Sequence, residues 1–237
     1  MEKIYIIGIG LSGGSMALEI ERIYSDSILY GIDINDKNVN EALDLKIIDK
    51  KGTLNELTQA DLVILAIPVD ASLGIIEEVL NNISDNTLVI DVGSTKQLFC
   101  EVIAKHPNRR NVLATHPIAG TEYSGPKAAL NDLFRNKTNI ICEVEKTAFK
   151  LQEKALKLFS DLGMRIRYMN PEAHDKHIAY MSHLSHISSF MLGKTVIEKE
   201  KNERDIFDMA GSGFESTVRL AKSSPDMWTP IFKQNKK

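Results

Sequence analysis

Two stretches of the sequence place serine and histidine side chains directly after apolar runs that we expect to be strands. Ser94 lies in Asp-Val-Gly-Ser-Thr-Lys (91–96), and His116 opens His-Pro-Ile-Ala-Gly-Thr-Glu-Tyr-Ser-Gly-Pro (116–126). A neutral imidazole at the end of a strand can accept a proton from a substrate hydroxyl. A hydroxyl and free N–H groups at a helix start can bind a polar ligand. The alternatives are helix capping by Ser94 or Thr95 and a structural role for the histidine.

A second group of candidate side chains falls in the C-terminal part, where the spacing is helical. His183 and His186 are three residues apart in Tyr-Met-Ser-His-Leu-Ser-His (180–186), so they share one face of a helix. Further metal ligands are not evident, so we predict no metal site; substrate contact or hydrogen-bonded packing is favoured for both histidines. Arg219 lies shortly before Trp228, and its guanidinium could hold a carboxylate through two hydrogen bonds, although a surface arginine is the common alternative.

The elements that must position these side chains begin with a glycine-rich turn. A predicted strand, Lys3–Ile7, leads into Gly-Ile-Gly-Leu-Ser-Gly (8–13) and a predicted helix, Leu11–Ile23. A second predicted strand, Ile28–Ile32, is followed at once by Asp33, about 20 residues after the last glycine of the turn. Strand, glycine turn, helix, strand and acid in this order are the dinucleotide-binding fingerprint.

Each position of the fingerprint has a physical role. Gly8 permits a tight turn, Gly10 lets the backbone approach a pyrophosphate, and Gly13 lets the helix pack on the strand. The helix that starts near Leu11 offers unpaired N–H groups to the phosphates. Asp33 would accept hydrogen bonds from the ribose hydroxyls and repel a 2′-phosphate, and no arginine follows it. We therefore predict NAD rather than NADP; the alternative is an ordinary glycine-rich turn with Asp33 as a helix N-cap.

The remaining pattern up to about residue 170 alternates strands with helices. This alternation predicts an α/β fold with a doubly wound, parallel, Rossmann-like sheet. Ligands bind beyond the carboxyl ends of the strands in such sheets. Asp33, Pro68, Ser94 and His116 all follow predicted strands, which places Pro68 and Ser94 with the cofactor-binding candidates.

From Pro171 the strand signal disappears. One long helical pattern runs to about Lys201, and two further helices are predicted around Arg204–Met209 and Glu215–Lys222. We therefore predict a dinucleotide-binding domain over residues 1–170 and an all-helical domain for substrate binding and dimerisation over residues 171–237.

Composition excludes several classes of protein. The 237 residues carry a net charge of −3, which gives no electrostatic case for nucleic acid or an anionic membrane. No apolar window approaches the roughly 18 residues of a membrane-spanning helix. The two cysteines, Cys100 and Cys142, form neither a C-x-x-C motif nor a paired framework. With no recognisable secretory signal, we expect a cytoplasmic protein with reduced thiols.

Taken together, these stretches resemble the prephenate dehydrogenase family, the NAD-dependent enzymes of tyrosine biosynthesis, with their arogenate-using relatives. The resemblance covers nearly all of the chain. It rests, in order, on GIGLSGGS (8–15), DVGSTK (91–96), HPIAGTEYSGP (116–126), SHLSH (182–186) and GSGFESTVRLAKSSPDMW (211–228).

The resemblance implies a role for each matched residue. His116 corresponds to the catalytic histidine that takes the proton of the ring hydroxyl, and Ser94 to the serine that assists that hydroxyl and the nicotinamide. His186 and Arg219 correspond to substrate-binding positions, and Glu122 to an acid that closes the site. The implied reaction is hydride transfer from the ring carbinol carbon to NAD with loss of CO2, which gives 4-hydroxyphenylpyruvate.

The resemblance also implies a homodimer. The family's helical domain normally continues past the tryptophan segment, whereas this sequence ends at Lys237, so we expect a shortened domain and a weakened dimer. Three alternatives stay open: an arogenate dehydrogenase, a 3-hydroxyacid or 6-phosphogluconate-like dehydrogenase, and an NAD-binding protein without catalysis.

Overall fold

The structure is a computed structural model that describes residues 1–201 and 205–236. Its centre is an eight-stranded sheet with the order β3-β2-β1-β4-β5-β6-β7-β8. The strands are β1 (Lys3–Ile7), β2 (Ile28–Ile32), β3 (Lys50–Lys51), β4 (Leu62–Leu65), β5 (Leu88–Asp91), β6 (Val112–Pro117), β7 (Thr138–Cys142) and β8 (Arg165–Met169). Strands β1 to β6 are parallel to one another, β7 is antiparallel to β6, and β8 is parallel to β7.

Helices connect the strands and form the C-terminal part. They are α1 (Leu11–Ile23), α2 (Asp36–Asp44), α3 (Val69–Asn81), α4 (Gln97–Ile103), α5 (Phe149–Asp161), α6 (Pro171–Ile178), α7 (Leu184–Glu200), α8 (Ser212–Val218) and α9 (Pro225–Gln234). Short 3-10 turns lie at Leu54–Gln59, Pro107–Asn111, Pro126–Ala128, Val144–Lys146, Phe207–Met209 and Arg219–Lys222. Among the described residues, no helix is both long and apolar enough to span a membrane.

The central strands are apolar on both faces because helices cover both faces. In β1, Ile4 and Ile6 join a buried cluster with α1 and α5, while Tyr5 and Ile7 join a second cluster with α3 and α4. All four residues of β4 are buried for the same reason. This is the burial expected of a doubly wound sheet, whose fold class the sequence predicts correctly.

The helical part is built on one nearly continuous helix. Helix α6 passes through a π-helical turn at Ala179–His183 into α7, which confirms the predicted long helical pattern. Helix α9 then packs on α3, where Trp228 and Ile231 bury Val69 in a third apolar cluster.

Three features differ from the sequence predictions. Strand β6 extends to Pro117 because it pairs with the antiparallel β7, so His116 lies within the strand and the sheet is not wholly parallel. Helix α9 has no counterpart among the predicted elements, although Ser-Pro at 224–225 is a helix-start signal. The predicted helix around Arg204–Met209 begins at a residue outside the described ranges, and its described end is a 3-10 turn at Phe207–Met209.

Candidate active site

The glycine-rich turn has the geometry that its spacing predicts. Gly8 has φ of +92°, which favours glycine, and a Cβ there would lie 2.4 Å from the Ala66 carbonyl oxygen. A Cβ on Gly13 would lie 2.0 Å from the Gly8 carbonyl oxygen, so α1 can pack this closely on the turn only without a side chain. A Cβ on Gly10 would meet no described atom within 4 Å. The turn therefore packs tightly against the rest of the protein at Gly8 and Gly13. It leaves open space at Gly10, directly before Leu11, the first residue of α1.

The Asp33 carboxylate joins the end of β2 to this turn. It accepts hydrogen bonds from the Ile9 N–H at 3.1 Å, the Asn35 N–H at 2.9 Å and the Asn38 amide at 3.2 Å. The N-cap of α2 is Asn35, whose side chain accepts from the Lys37 N–H. The alternative role of Asp33 as that N-cap is therefore wrong. The carboxylate lies at the turn, where a ribose bound next to a pyrophosphate would need an acceptor.

Ser94 and Thr95 do not cap the helix that follows them. Helix α4 begins at Gln97 without a side-chain cap from its own segment. Instead, Asp175 of α6 accepts the N–H of Lys96 at 2.7 Å and the N–H of Gln97 at 3.0 Å. Within the described ranges the Ser94 hydroxyl has no hydrogen-bond partner, and its side chain is half-buried beyond the end of β5. The hydroxyl is thus available to a ligand.

A buried ion pair fixes the same stretch to the end of β5. The Lys96 ammonium contacts the Asp91 carboxylate, and both side chains are almost wholly buried. Thr95 donates its hydroxyl to the Gln234 side chain of α9 at 2.8 Å. The loop between β5 and α4 is therefore fixed by the sheet on one side and the helical part on the other.

His116 is linked through His174 to Asp175, the same carboxylate that accepts the N–H groups at the start of α4. Its Nδ1 lies 2.8 Å from Nε2 of His174, and Nδ1 of His174 lies 2.7 Å from Oδ1 of Asp175. Burial lowers the pKa of His116 well below its ordinary value, and the charges of His174, Lys96 and His183 act in the same direction. His116 is therefore a neutral imidazole near pH 7, able to accept a proton.

His186, Arg219 and Glu122 form a second group. The ring of His186 stacks on Trp228 with centroids 3.6 Å apart, and its Nδ1 lies 3.0 Å from the Ser182 carbonyl oxygen. Burial lowers the pKa of His186, and the Arg219 guanidinium adds to this. Arg219 pairs with the Glu122 carboxylate at 3.3 Å, which joins the loop after β6 to the helical part. A guanidinium and an imidazole there can bind an anionic substrate group.

His183 packs inside the helical part of the chain. It is buried, lies edge-on to Trp228, and its Nδ1 is 3.2 Å from the Asn235 amide nitrogen. Burial lowers its pKa to about 4. The side chain packs against Trp228 of α9 and against Asn235 directly after it, and the predicted contact of His183 with substrate stays a prediction. Hydrogen-bonded packing, the other interpretation of this histidine, agrees with these contacts.

Pro68 is exposed at the N-terminus of α3, beyond the end of β4. It thus lies at the same edge of the sheet as Asp33, Ser94 and His116, as predicted. No cluster of three or more potential metal-binding side chains occurs in the described part of the chain.

Sequence reasoning misses His174, Asp175 and the packing role of Trp228. His174 and Asp175 follow the N-cap Asn170 and look like ordinary residues of a first helical turn. Their bonds to His116 and to Lys96 join residues that are 58 and 79 positions apart. No pattern within a short window of the sequence predicts such contacts.

Comparison with known proteins identifies the family. The sequence model of the prephenate dehydrogenase nucleotide-binding domain matches residues 16–168, and that of the prephenate dehydrogenase dimerization domain matches residues 170–237. The chain belongs to the prephenate dehydrogenase family. Membership agrees with the resemblance found in the sequence, and it sets the 3-hydroxyacid and 6-phosphogluconate alternative aside.

Individual relatives agree with this assignment. Prephenate dehydrogenase of Bacillus subtilis is 34% identical over 99% of this chain, which spans 64% of that protein's length. The crystal structure of prephenate dehydrogenase from Aquifex aeolicus with hydroxyphenyl propionate and NAD+ is 34% identical, has a TM-score of 0.90, and is matched over 100% of this chain and 83% of its own. Synechocystis arogenate dehydrogenase is 26% identical with a TM-score of 0.77, over 99% of this chain and 84% of its own.

Proposed function

We propose that the chain is an NAD-dependent dehydrogenase that converts prephenate into 4-hydroxyphenylpyruvate and CO2. The observation that carries the proposal is the neutral, half-buried His116 at the carboxyl edge of the sheet, next along that edge to the hydroxyl of Ser94. The names of the relatives from Bacillus subtilis and Aquifex aeolicus support prephenate as the substrate. Arogenate is the second candidate, favoured by the likeness to the Synechocystis enzyme.

The glycine turn fits NAD on two observations. The space above Gly10 is open to a pyrophosphate, and Asp33 lies where it can accept from the ribose hydroxyls. Leu11 begins the helix whose free N–H groups would face the phosphates. When bound there, NAD supplies the hydride acceptor.

The protein's own residues would orient the substrate and handle one proton. Nε2 of His116 accepts the proton of the ring hydroxyl as the carbinol carbon loses its hydride, and can return it to the oxygen of the aromatic product. The electrons of the breaking bond to the ring carboxylate complete the aromatic ring, and CO2 leaves. Ser94 would orient the same hydroxyl. Because aromatisation supplies the driving force, placement and deprotonation are the main tasks of the protein.

Arg219 and His186 would bind the carboxylate of the substrate side chain. Arg219 would exchange part of its contact with Glu122 for a two-point bond to that carboxylate. His186 presents Nε2, because its Nδ1 faces a carbonyl oxygen that can only accept. Glu122 then lies at the margin of the site, where it ties the loop after β6 to the arginine.

The experiment is to follow NADH formation with prephenate and with arogenate, using NAD and NADP in turn. Turnover with prephenate and NAD supports the proposal, whereas NAD binding without turnover of either substrate contradicts it and favours a non-catalytic NAD-binding protein. His116→Asn should lower kcat by about 100-fold or more while NAD binds normally. His177→Asn is the matched control, since His177 is exposed on α6 and should tolerate the change. An unaltered kcat in His116→Asn would remove this histidine from its role.

We also propose a homodimer formed through α7. Leu184, Ile187 and Met191 are exposed and lie on one face of that helix, within the segment that matches the dimerization domain. Analytical ultracentrifugation should show a dimer that Ile187→Glu dissociates. Phe149→Glu, at an exposed apolar position on α5, should leave the dimer intact. A monomeric parent protein at micromolar concentration would contradict the proposal.

A further inference from the structure

We propose that His174 and Asp175 are positioning residues that determine which ring nitrogen of His116 carries the proton. They would hold His116 with Nδ1 protonated and Nε2 free, which is the form that can act as a base toward substrate. The inference deepens the proposed function, because it concerns the proton acceptor assigned there. It names two residues that neither the sequence motifs nor the family resemblance assign.

The Asp175 carboxylate fixes the direction of the hydrogen bonds that lead to His116. An ionised Asp175 can only accept, so the bond of 2.7 Å to Nδ1 of His174 requires a proton on that nitrogen. In a neutral His174, Nε2 then carries no proton and can only accept a hydrogen bond. The contact of 2.8 Å between this Nε2 and Nδ1 of His116 therefore needs the proton on His116 Nδ1. Nε2 of His116 is left as the acceptor.

The environment keeps Asp175 ionised. Burial raises the pKa of Asp175, but the hydrogen bonds from His174 and from the N–H groups of Lys96 and Gln97 outweigh it, so the pKa lies below its ordinary value. The two N–H groups belong to the start of α4, where the first N–H groups of a helix have no partner within the helix. The carboxylate is thus held in place by a helix end as well as by the histidine.

The environment also keeps both imidazoles neutral. Burial lowers the pKa of His174, although Asp175 acts in the opposite direction, and burial lowers the pKa of His116 further. The charged or titratable groups around the pair are the Lys96 ammonium with its partner Asp91, and His183 on the π-helical turn. The positive charge of Lys96 disfavours a second positive charge on either ring.

His174 acts through His116 and not by touching substrate, because its side chain is completely buried. Asp175 has a second consequence: the carboxylate that orients His174 also caps α4, directly after the stretch that holds Ser94. One side chain of the helical part therefore sets both the tautomer of the proposed base and the position of the proposed serine. Removing this carboxylate would therefore disturb both the tautomer of His116 and the position of Ser94.

Paired substitutions of His174 test the proposal. His174→Phe keeps the ring volume but has neither donor nor acceptor, whereas His174→Gln keeps an amide N–H for Asp175 and an oxygen for His116. We expect His174→Phe to lower kcat about 10- to 1,000-fold, which does not exceed the roughly 100- to 10,000-fold contribution of the general base itself, with NAD affinity changed less than about threefold. His174→Gln should recover most of the loss. Asp175→Asn should lower kcat as His174→Phe does. The amide nitrogen of the asparagine cannot accept the hydrogen bonds that one carboxylate oxygen accepts from α4 or from His174.

A measurement without substrate separates this inference from the proposed function. In the 15N-labelled protein, the nitrogen shifts of His116 should report a proton on Nδ1, and His174→Phe should turn the ring into a mixture of tautomers. Asn235→Ala is the control, because Asn235 bonds the main-chain oxygen of Asp175 and not its carboxylate. It should lower the melting temperature without moving the His116 shifts. A His116 protonated on Nε2 in the parent protein, or equal kcat in His174→Phe and His174→Gln, would overturn the inference, even if the protein turned over prephenate.

Discussion

Gly10→Ala separates cofactor binding from folding more cleanly than any other change in the glycine turn. Gly10 has φ of −89° and ψ of −155°, a conformation that alanine also adopts. Its added methyl group would meet no described atom within 4 Å. The free energy of unfolding should therefore change by less than about 0.5 kcal/mol, as for other unstrained surface changes. The same methyl group would occupy the open space that we assign to the pyrophosphate.

The expected loss of NAD affinity follows from this steric overlap. Forcing one methyl group into a close contact costs about 1–3 kcal/mol. At 25 °C this corresponds to about a 5- to 150-fold rise in the Kd for NAD. Gly13→Ala should act differently, because its Cβ would lie 2.0 Å from the Gly8 oxygen and the turn itself must shift. That variant should lose both stability and NAD affinity.

Calorimetric titration with NAD and urea unfolding measure the two quantities separately. Gly74→Ala is the control, since Gly74 lies exposed in α3 with no described atom within 4 Å of an added Cβ. It should gain up to about 1 kcal/mol in stability and leave NAD binding unchanged. An unchanged Kd for NAD in a well-folded Gly10→Ala protein would refute the placement of the pyrophosphate over this residue.

Three further predictions concern other parts of the site. Asp33→Ala should weaken NAD binding and reduce the preference for NAD over NADP. A preference unchanged from the parent protein would show that other groups determine it. Arg219→Lys should raise KM for prephenate at least about tenfold with a smaller effect on kcat, because the two-point bond is lost while a charge remains, and an unchanged KM would contradict this. Acid should destabilise the protein through His183, whose pKa falls from 6.5 to about 4 on folding. The unfolded state binds the extra proton between these values, so about 3 kcal/mol present above pH 6.5 is lost as the pH falls toward 4, and His183→Gln should flatten urea-unfolding stability across this range.

The sequence alone determines the elements whose signals are local. The ranges predicted for β1, α1 and β2 are confirmed residue for residue, because a glycine turn between apolar runs leaves little freedom in where each element begins and ends. The placement of Asp33, Ser94 and His116 at one edge of the sheet also follows from the sequence. Parallel strands joined by helices must bring their carboxyl ends together, whatever the side chains.

Only the tertiary structure decides how these groups are held. Strand β6 includes His116 because β7 returns antiparallel beside it, a pairing that no short window of sequence contains. The cap on α4 comes from Asp175 and not from the adjacent Ser94 or Thr95, and the partner of His116 is His174. Hydrogen bonds between distant residues depend on how the helical part packs against the sheet. Local spacing therefore predicts which residues could do chemistry, whereas packing decides their protonation, their partners and which of them stay buried.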